Sequence, residues 1–263
     1  MYRPRIIPVL LLKNLGLVKS IRFKDYKYIG DPINAVKIFN ELNADELVFL
    51  DTEATKQNRL ISIDFVRDVG EEANMPFAVG GGVSSLVDIQ KLIQAGAEKV
   101  IINSAALNPR FIEEATKEFG SSTISVCIDY KKKLFGGIKT WIHSGVKSTN
   151  FSPTEFARMM QDAGAGEIIL QSIERDGTMV GYDLDLLKSI SQSVTIPVVA
   201  LGGAGKMEHL SLAMNEACMN GLGAGSMFVY QGSNQAVLIS YPDKKEKQEF
   251  YANKVVKRNG IYL

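Results

Sequence analysis

The carboxylate best placed for chemistry is Asp129, because it ends the apolar run SVCID. A carboxylate at the end of a buried strand can act as a general acid or base when its surroundings bring its pKa near the working pH. The alternative is a structural role, in which Asp129 caps a loop or pairs with one of the lysines that follow it. The local sequence leaves both roles open.

Two glycine runs, at residues 80–82 and 202–203, each follow a short apolar segment and precede a helix-like one. Glycine lets backbone N–H groups approach a ligand closely, and a helix N-terminus favours anions. Each run alone is more often a turn, but the pair predicts two phosphate sites and a substrate with a phosphate at each end. The first site is predicted to comprise Gly81, Gly82, Asn103 and Ser104, and the second Asp176, Gly177, Gly202, Gly203, Gly225 and Ser226.

Four charged residues begin apolar runs, namely Arg5, Glu46, Lys99 and Glu167. In a parallel barrel the start of a strand lies at the end opposite to the reactive groups. Charges that point into such a barrel must pair, because an unpaired buried charge is very costly. The pattern therefore fits either a salt-bridged ring across a central passage or four ordinary exposed charges.

Eight apolar runs rich in valine and isoleucine predict the strands that position these groups, and helix-like segments separate most of them. They predict an α/β protein, a (β/α)8 TIM barrel built from two similar half-barrels, with a doubly wound open sheet as the alternative. Glu46 corresponds to Glu167, and Gly81 to Gly202, at the same offset of 121 residues. The predicted strands are 5–12, 46–51, 77–80, 99–103, 123–129, 167–171, 197–201 and 220–224. The predicted helices are 33–42, 84–95, 109–119, 153–163 and 184–191.

Residues 1–263 are expected to form a single domain, with half-barrels at about 1–120 and 121–240. Two segments depart from the regular alternation of strands and helices. Residues 130–144 predict a hairpin insertion, which carries Trp141 and His143. The charged segment 241–263 is expected to form a helical tail with a solvated face.

The composition favours a cytoplasmic enzyme or enzyme subunit. A net charge of +1 gives no indication of nucleic-acid binding. The N-terminal run IIPVLLL is too short to span a membrane. Cys127 and Cys218 both lie in apolar runs, so we expect buried, reduced thiols. No metal and no other cofactor is predicted.

From residue 3 to about residue 230 the chain resembles the HisF family, the cyclase subunit of imidazole glycerol phosphate synthase in histidine biosynthesis. The matching stretches are RIIP, DELVFLDTEAT, PFAVGGGV, GAEKVIINSAA, GAGEIILQSIERDGTMVGYD and GGAGKMEH. The resemblance implies a (β/α)8 barrel that binds a linear bisphosphate at its C-terminal face. It also implies a HisH-like glutaminase on the N-terminal face, whose ammonia crosses the barrel through a salt-bridged gate. The gate positions are occupied here by Arg5, Glu46, Lys99 and Glu167.

The departures from the family pattern are as informative as the matches. The family cyclase uses two aspartates; Asp129 matches the second, whereas Leu11 replaces the first. The first loop reads LLKNLGL, although Lys19 remains, and Leu201 replaces a serine before the second glycine pair. Leucine neither donates nor accepts a proton, and a lost acid–base group typically costs about 10²–10⁴-fold in rate. We therefore expect cyclase activity to be lost.

This combination resembles the divergent WbuZ branch of the HisF-like proteins, which is associated with surface polysaccharides. That resemblance implies ammonia delivery to a sugar amidotransferase that forms an acetamidino group. A second hypothesis is an authentic cyclase in which Asp51 or Glu53 replaces the missing aspartate. A third is a scaffold that only activates or positions the glutaminase.

Overall fold

The computed structural model describes residues 3–133, 137–232, 234–253, 257–258 and 261–262. Eight parallel strands form a closed barrel in which each strand pairs with its neighbours in the chain. The last strand pairs with the first through Arg5 and Gly221, which closes the sheet. The predicted (β/α)8 TIM barrel is therefore confirmed. Its strands are β1 (Arg5–Lys13), β2 (Leu47–Asp51), β3 (Phe77–Gly80), β4 (Lys99–Ile102), β5 (Ile124–Lys132), β6 (Glu167–Ser172), β7 (Val198–Leu201) and β8 (Gly221–Ala224).

Helices follow the strands and cover the outside of the barrel. Several begin at a side chain that caps the first turn, as Ser152 does in a capping box with Glu155. Within the described residues the helices are α1 (Pro32–Glu41), α2 (Ile63–Glu72), α3 (Leu86–Gln94), α4 (Pro109–Phe119), α5 (Pro153–Asp162), α6 (Leu184–Ser191), α7 (Met207–Glu216), α8 (Ser226–Val229) and α9 (Lys244–Ala252).

The strands bury both faces, as expected of parallel strands that helices cover. One face packs against the helices, and the other fills the barrel with apolar side chains. Because side chains alternate along a strand, inward positions recur every second residue. The interior column consists of Ile7, Val9, Val48, Ala78, Ile101, Cys127, Ile169, Val199 and Leu201. The interior of the barrel is thus filled by hydrocarbon and one thiol.

Two hairpins extend from the C-terminal end of the barrel. The first, Gly16–Ile21 with Lys24–Gly30, continues antiparallel from β1 and was not predicted. The second pairs the end of β5 with Ile138–Ile142, which confirms the predicted insertion. Residues 134–136 of that insertion lie outside the described residues.

The predicted strands and the five predicted helices lie within a few residues of the observed ones. Helix α2 was missed because its sequence, IDFVRDVGEE, contains Gly70 and only a narrow apolar stripe. The prediction for Cys218 was wrong: its side chain is exposed, whereas Cys127 is buried as predicted. Cys218 follows α7 with φ of 54°, and this left-handed turn directs its side chain outward between buried Ala217 and Met219.

The C-terminal segment forms α9, whose residues are mainly exposed apart from buried Phe250. This agrees with the predicted solvated helix, although residues 254–256, 259–260 and 263 of the predicted tail lie outside the described part of the chain. Among the residues that the structure describes, no helix has the length and hydrophobicity needed to cross a membrane.

Candidate functional site

A cavity of about 560 Å³ opens where the barrel strands end. It gathers residues from both halves of the chain, including every predicted phosphate-binding residue, Asp129 and Leu11. The predicted phosphate-binding residues in its lining are Gly81, Gly82, Asn103, Ser104, Asp176, Gly177, Gly202, Gly203, Gly225 and Ser226. The four strand-leading charges are absent from this lining, as expected for the opposite end of the barrel.

Asp129 lies in the cavity lining near the end of β5 and is 7% exposed. Burial, with a smaller contribution from the charge of Asp176, raises the pKa of this carboxyl to about 7. The Cys127 thiol donates to Asp129 Oδ1 at 3.6 Å, which partly offsets the rise. Asp129 can therefore exchange a proton near neutral pH, which is the property required of a general acid or base.

This buried carboxyl predicts a pH-dependent effect of Asp129→Asn on stability. The folded-state pKa lies above the ordinary value of 3.8, so the folded state binds the proton more tightly than the unfolded state does. The associated stability is present at low pH and is lost as pH rises toward 7 and above. Asparagine does not ionise, so only the native chain loses this stability as pH rises. The free energy of unfolding of the variant, relative to that of the native chain, should therefore rise by on the order of a few kcal/mol between pH 5 and pH 8. Denaturant unfolding at both pH values measures this, and an equal difference at both would contradict it.

Leu11 lies on the strand opposite Asp129. Three strands separate β1 from β5 in either direction around the eight-stranded barrel, and both side chains line the cavity. Val9, Leu50 and Leu201 also line it, so this side of the cavity floor is apolar. No proton-transferring group stands at the Leu11 position.

The two carboxylates suspected as substitutes have other partners. Asp51 pairs with Arg59 at 2.6 Å and accepts hydrogen bonds from the N–H groups of Glu53 and Ala54 at 3.0 and 3.1 Å. These contacts show that Asp51 stabilises the loop after β2. Asp51 is also one of the residues that line the cavity. The Glu53 carboxylate lies 3.3 Å from the Lys56 ammonium, and Glu53 is not among the residues that line the cavity.

Asp176 binds the first hairpin. Its Oδ2 accepts a hydrogen bond from the Ser20 hydroxyl at 2.7 Å and one from the Phe23 N–H at 3.3 Å. Burial raises the pKa of Asp176, although these hydrogen bonds and Lys19 favour its charged form. A Cβ on Gly177 would lie 2.0 Å from the Ser20 carbonyl oxygen, so glycine permits this close packing. Both residues were predicted only as phosphate ligands, and the sequence did not reveal their contacts with the hairpin.

The docked hairpin adds further residues to the cavity, among them Lys19, Ser20 and Tyr26. The Lys19 ammonium donates to the Val9 carbonyl oxygen at 2.7 Å, and burial lowers the pKa of Lys19 to about 8. From the second hairpin, the His143 N–H donates to the Ser104 hydroxyl at 3.0 Å. Sequence reasoning missed Ser20, Tyr26 and the His143 contact, because they depend on where the hairpins fold.

The glycines at the cavity edge are required by the backbone. Gly82 has φ of 71°, and a Cβ there would lie 1.8 Å from the Arg59 carbonyl oxygen. Gly203 has φ of 109°, and a Cβ there would lie 2.2 Å from the Gly181 carbonyl oxygen. These glycines are therefore turn residues, and they also line the cavity. Their role in binding phosphate stays a prediction.

Gly82→Ala should destabilise the fold more than Gly120→Ala does. Both glycines have positive φ, but a Cβ on Gly120 would meet no atom within 4 Å. The comparison therefore separates steric overlap from backbone strain, and we expect Gly82→Ala to cost about 1–3 kcal/mol more. Urea unfolding of the two variants measures the difference. Equal decreases in the free energy of unfolding would show that the backbone at Arg59 moves at little cost to accommodate the added Cβ.

The opposite end of the barrel carries a closed ring of charges. The Arg5 guanidinium contacts the carboxylates of Glu46 and Glu167, and the Lys99 ammonium lies 3.3 Å from each of the same two groups. The Ser125 hydroxyl donates to Glu167 at 3.1 Å. Burial raises the pKa of Glu46, and the charges of Arg5 and Lys99 oppose that rise. The side chains of Glu46 and Glu167 are only 4% and 8% exposed, so the ring is not made of ordinary surface charges.

Comparison with known proteins yields a consistent set of relatives. The family model described as histidine biosynthesis protein matches residues 5–235. A Leptospira borgpetersenii protein with the provisional name imidazole glycerol phosphate synthase subunit HisF is 43% identical over 253 residues, covering 95% of this chain and all of the relative. A Pseudomonas aeruginosa protein, provisionally named subunit hisF2 of that synthase, is also 43% identical, covering 92% of this chain and 97% of the relative. The imidazole glycerol phosphate synthase subunit HisF of Streptococcus mutans is 39% identical, covering 88% and 92%.

Proposed function

Since this chain belongs to the histidine biosynthesis protein family, together with the HisF subunits of imidazole glycerol phosphate synthase, we propose that it conducts ammonia within a glutamine amidotransferase complex. In this proposal a HisH-like glutaminase docks on the N-terminal face and releases ammonia from glutamine. Ammonia crosses the barrel and leaves at the C-terminal face, where a sugar amidotransferase uses it to form an acetamidino group. The barrel itself no longer closes the imidazole ring.

The observation that carries the proposal is the contrast between the two ends of the barrel. At the C-terminal end, Leu11 stands on the strand opposite Asp129, so the position across the cavity from Asp129 carries no carboxylate. At the N-terminal end the ring is complete, with each carboxylate held by both cations. A chain that served only as a scaffold would have no need for paired buried charges around an apolar interior, since such pairs are expensive to desolvate.

The interior between the two ends suits a small uncharged molecule. Apolar side chains such as Ile7, Val48 and Ile169 form the column above the ring, so a charged ammonium ion is disfavoured there relative to ammonia. The ring then acts as the gate at which ammonia enters, and its four side chains move apart when the glutaminase is bound and active. The residues assigned to this gate are Arg5, Glu46, Lys99 and Glu167.

The alternative is the cyclase reaction of histidine biosynthesis, which the names of the relatives favour. Asp129 supports it, because its pKa near 7 suits a general acid or base. The two phosphate sites at the glycine turns would then hold the linear bisphosphate, as the HisF resemblance implies. Against it stands Leu11, because the candidate replacements Asp51 and Glu53 are engaged by Arg59 and by Lys56.

Two assays test the proposal. The first supplies the purified chain with its glutaminase, glutamine and the biosynthetic cyclase substrate, and measures imidazole glycerol phosphate; appreciable formation would refute the loss of cyclase activity. The second adds the acceptor enzyme, [amide-¹⁵N]glutamine and excess unlabelled ammonium. Preferential incorporation of the glutamine nitrogen is expected. If bulk ammonium dilutes the label fully, the barrel does not conduct ammonia.

A further inference from the structure

One buried side chain at the exit of the barrel has an oxygen without a partner. Gln171 lies near the end of β6, lines the cavity and is 5% exposed. Its Nε2 donates to Asp176 Oδ1 at 3.4 Å, which fixes the orientation of the amide. Within the described residues Gln171 Oε1 accepts no hydrogen bond, although it is fully shielded from solvent.

A buried amide oxygen without a donor destabilises a fold, so it calls for a small ligand or a water, which reaches this shielded oxygen when the side chains around it move. The neighbours of Gln171 restrict what that ligand can be. Asp129 is its register partner on β5, and Asp176 binds its amide nitrogen. Both are carboxyl groups, which repel a phosphate oxygen when they are ionised, and Oε1 itself can only accept. The missing partner must therefore be a hydrogen-bond donor.

The position of the oxygen indicates which donor reaches it. Two residues earlier on the same strand, Ile169 belongs to the apolar interior column. The register partner of Gln171 on β7 is Leu201, also apolar. A small molecule that rises through the column meets few polar groups before it reaches the Gln171 amide and the Asp129 carboxyl. Ammonia has three N–H donors and is small enough for such a path.

We infer that Gln171 Oε1 is the receiving site for ammonia at the exit of the barrel, where it accepts an N–H hydrogen bond before the nitrogen passes to the acceptor. This inference rests on the proposed conduit function. It assigns Gln171 a positioning role, because the amide holds ammonia without exchanging a proton with it. Leu11 and Leu201 give the site hydrocarbon walls, so Gln171 supplies the acceptor that these leucines cannot.

A binding measurement tests the site independently of nitrogen transfer. The side-chain amide resonances of the ¹⁵N-labelled full chain are recorded by NMR during titration with ammonium chloride, at alkaline pH where free ammonia is abundant. Loss of a signal in Gln171→Leu assigns the Gln171 amide. A saturable shift of that signal is expected with ammonium chloride and not with tetramethylammonium chloride, which has no N–H group. Absence of such a shift would overturn the inference.

A transfer measurement tests the role in the complex of this chain with the glutaminase and the acceptor enzyme. Gln171→Leu should lower the incorporation of glutamine-derived nitrogen, in competition with unlabelled ammonium, by about 3- to 10-fold, the usual worth of one hydrogen bond. The matched control is Thr140→Val, because Thr140 Oγ1 is also buried and has no partner in the part of the chain that the structure describes, but does not line the cavity. It should leave transfer unchanged.

The outcomes separate the two proposals. Equal transfer by Gln171→Leu and the native chain, with clear preference for glutamine nitrogen in both, overturns the receiving site and leaves the conduit intact. No preference for glutamine nitrogen even in the native complex overturns the conduit itself. Thr140→Val should be at least as stable as the native chain to thermal unfolding, because it removes a buried oxygen that has no donor among the described residues. Gln171→Leu removes such an oxygen but also the hydrogen bond to Asp176, so the two effects oppose each other and its thermal stability should change little. A fall in transfer without loss of stability therefore supports the positioning role.

Discussion

Leu11→Asp is expected to raise imidazole glycerol phosphate formation by about 10²–10⁴-fold over the native chain, the usual contribution of a general acid or base. The change places a carboxyl on β1 across the cavity from Asp129. The residues predicted to bind phosphate, among them the glycine turns, Asn103 and Ser104, line the same cavity. The measurement is steady-state turnover of the cyclase substrate with saturating ammonium, which removes any dependence on the glutaminase.

The matched control is Leu50→Asp, because Leu50 also lines the cavity but lies on β2, away from the position opposite Asp129. It should give no comparable gain. The double variant Leu11→Asp with Asp129→Asn should lose what the single variant gains, since both groups are needed. High activity of the native chain, or equal gains from Leu11→Asp and Leu50→Asp, would contradict the assignment of Leu11 as the missing acid–base position.

Glu167→Gln should destabilise the fold by about 3–5 kcal/mol, the usual result of removing one partner from a buried ion pair. Glu167 contacts Arg5, lies 3.3 Å from the Lys99 ammonium and accepts a hydrogen bond from Ser125. In the variant, Glu46 is the one remaining carboxylate of the four-residue ring. Urea unfolding measures the loss. If the ring is the gate, as proposed, the same variant should also weaken the preference for glutamine-derived nitrogen in the complex.

Glu114→Gln is the matched control for the ring. Glu114 pairs with Arg110 at 3.1 Å on the exposed surface of α4, where ion pairs contribute about 0–1 kcal/mol. Glu114→Gln should therefore lower the free energy of unfolding only slightly. Comparable losses in the two variants would mean that the ring behaves as an exposed set of charges, and an unchanged labelling preference in Glu167→Gln would argue against a gate.

The barrel could be predicted because strand signals are local. Runs such as FAVG in β3 and VVAL in β7 are apolar on both faces, which identifies parallel strands under helices. The residues alone left open whether the four charges form a ring or lie exposed, and the resemblance to the HisF family favoured the ring. Alternation along a strand agrees with the ring, because it places Arg5 on the same side as Ile7 and Val9. The distances between the four charged groups could be obtained only from the structure of the closed barrel.

The hairpin contacts could not be predicted, because they depend on tertiary folding. The segment KDYKYIG is largely polar and exposed, and it forms a strand only through pairing with Gly16–Ile21. The role of Asp176 as its anchor was therefore hidden. Cys218 was misjudged because the sequence shows an apolar neighbourhood and does not show a positive φ. In the sequence, Gln171 resembles any other polar residue near the end of a strand. Only the structure shows that its Oε1 has no hydrogen-bond donor among the described residues.

The apolar column inside the barrel has a consequence for proton balance. In the proposed conduit, nitrogen crosses the apolar interior as neutral ammonia, because a charged ammonium ion is costly to desolvate. The proton that would convert ammonia to ammonium therefore stays on the glutaminase side. The ammonia that leaves the barrel can then accept another proton. Transit is then electrically silent, and neither salt concentration nor surface potential should alter its rate. Alkalinisation of the medium raises the fraction of free ammonia only for nitrogen in solution, so it should increase the share of external nitrogen when external and glutamine-derived nitrogen compete.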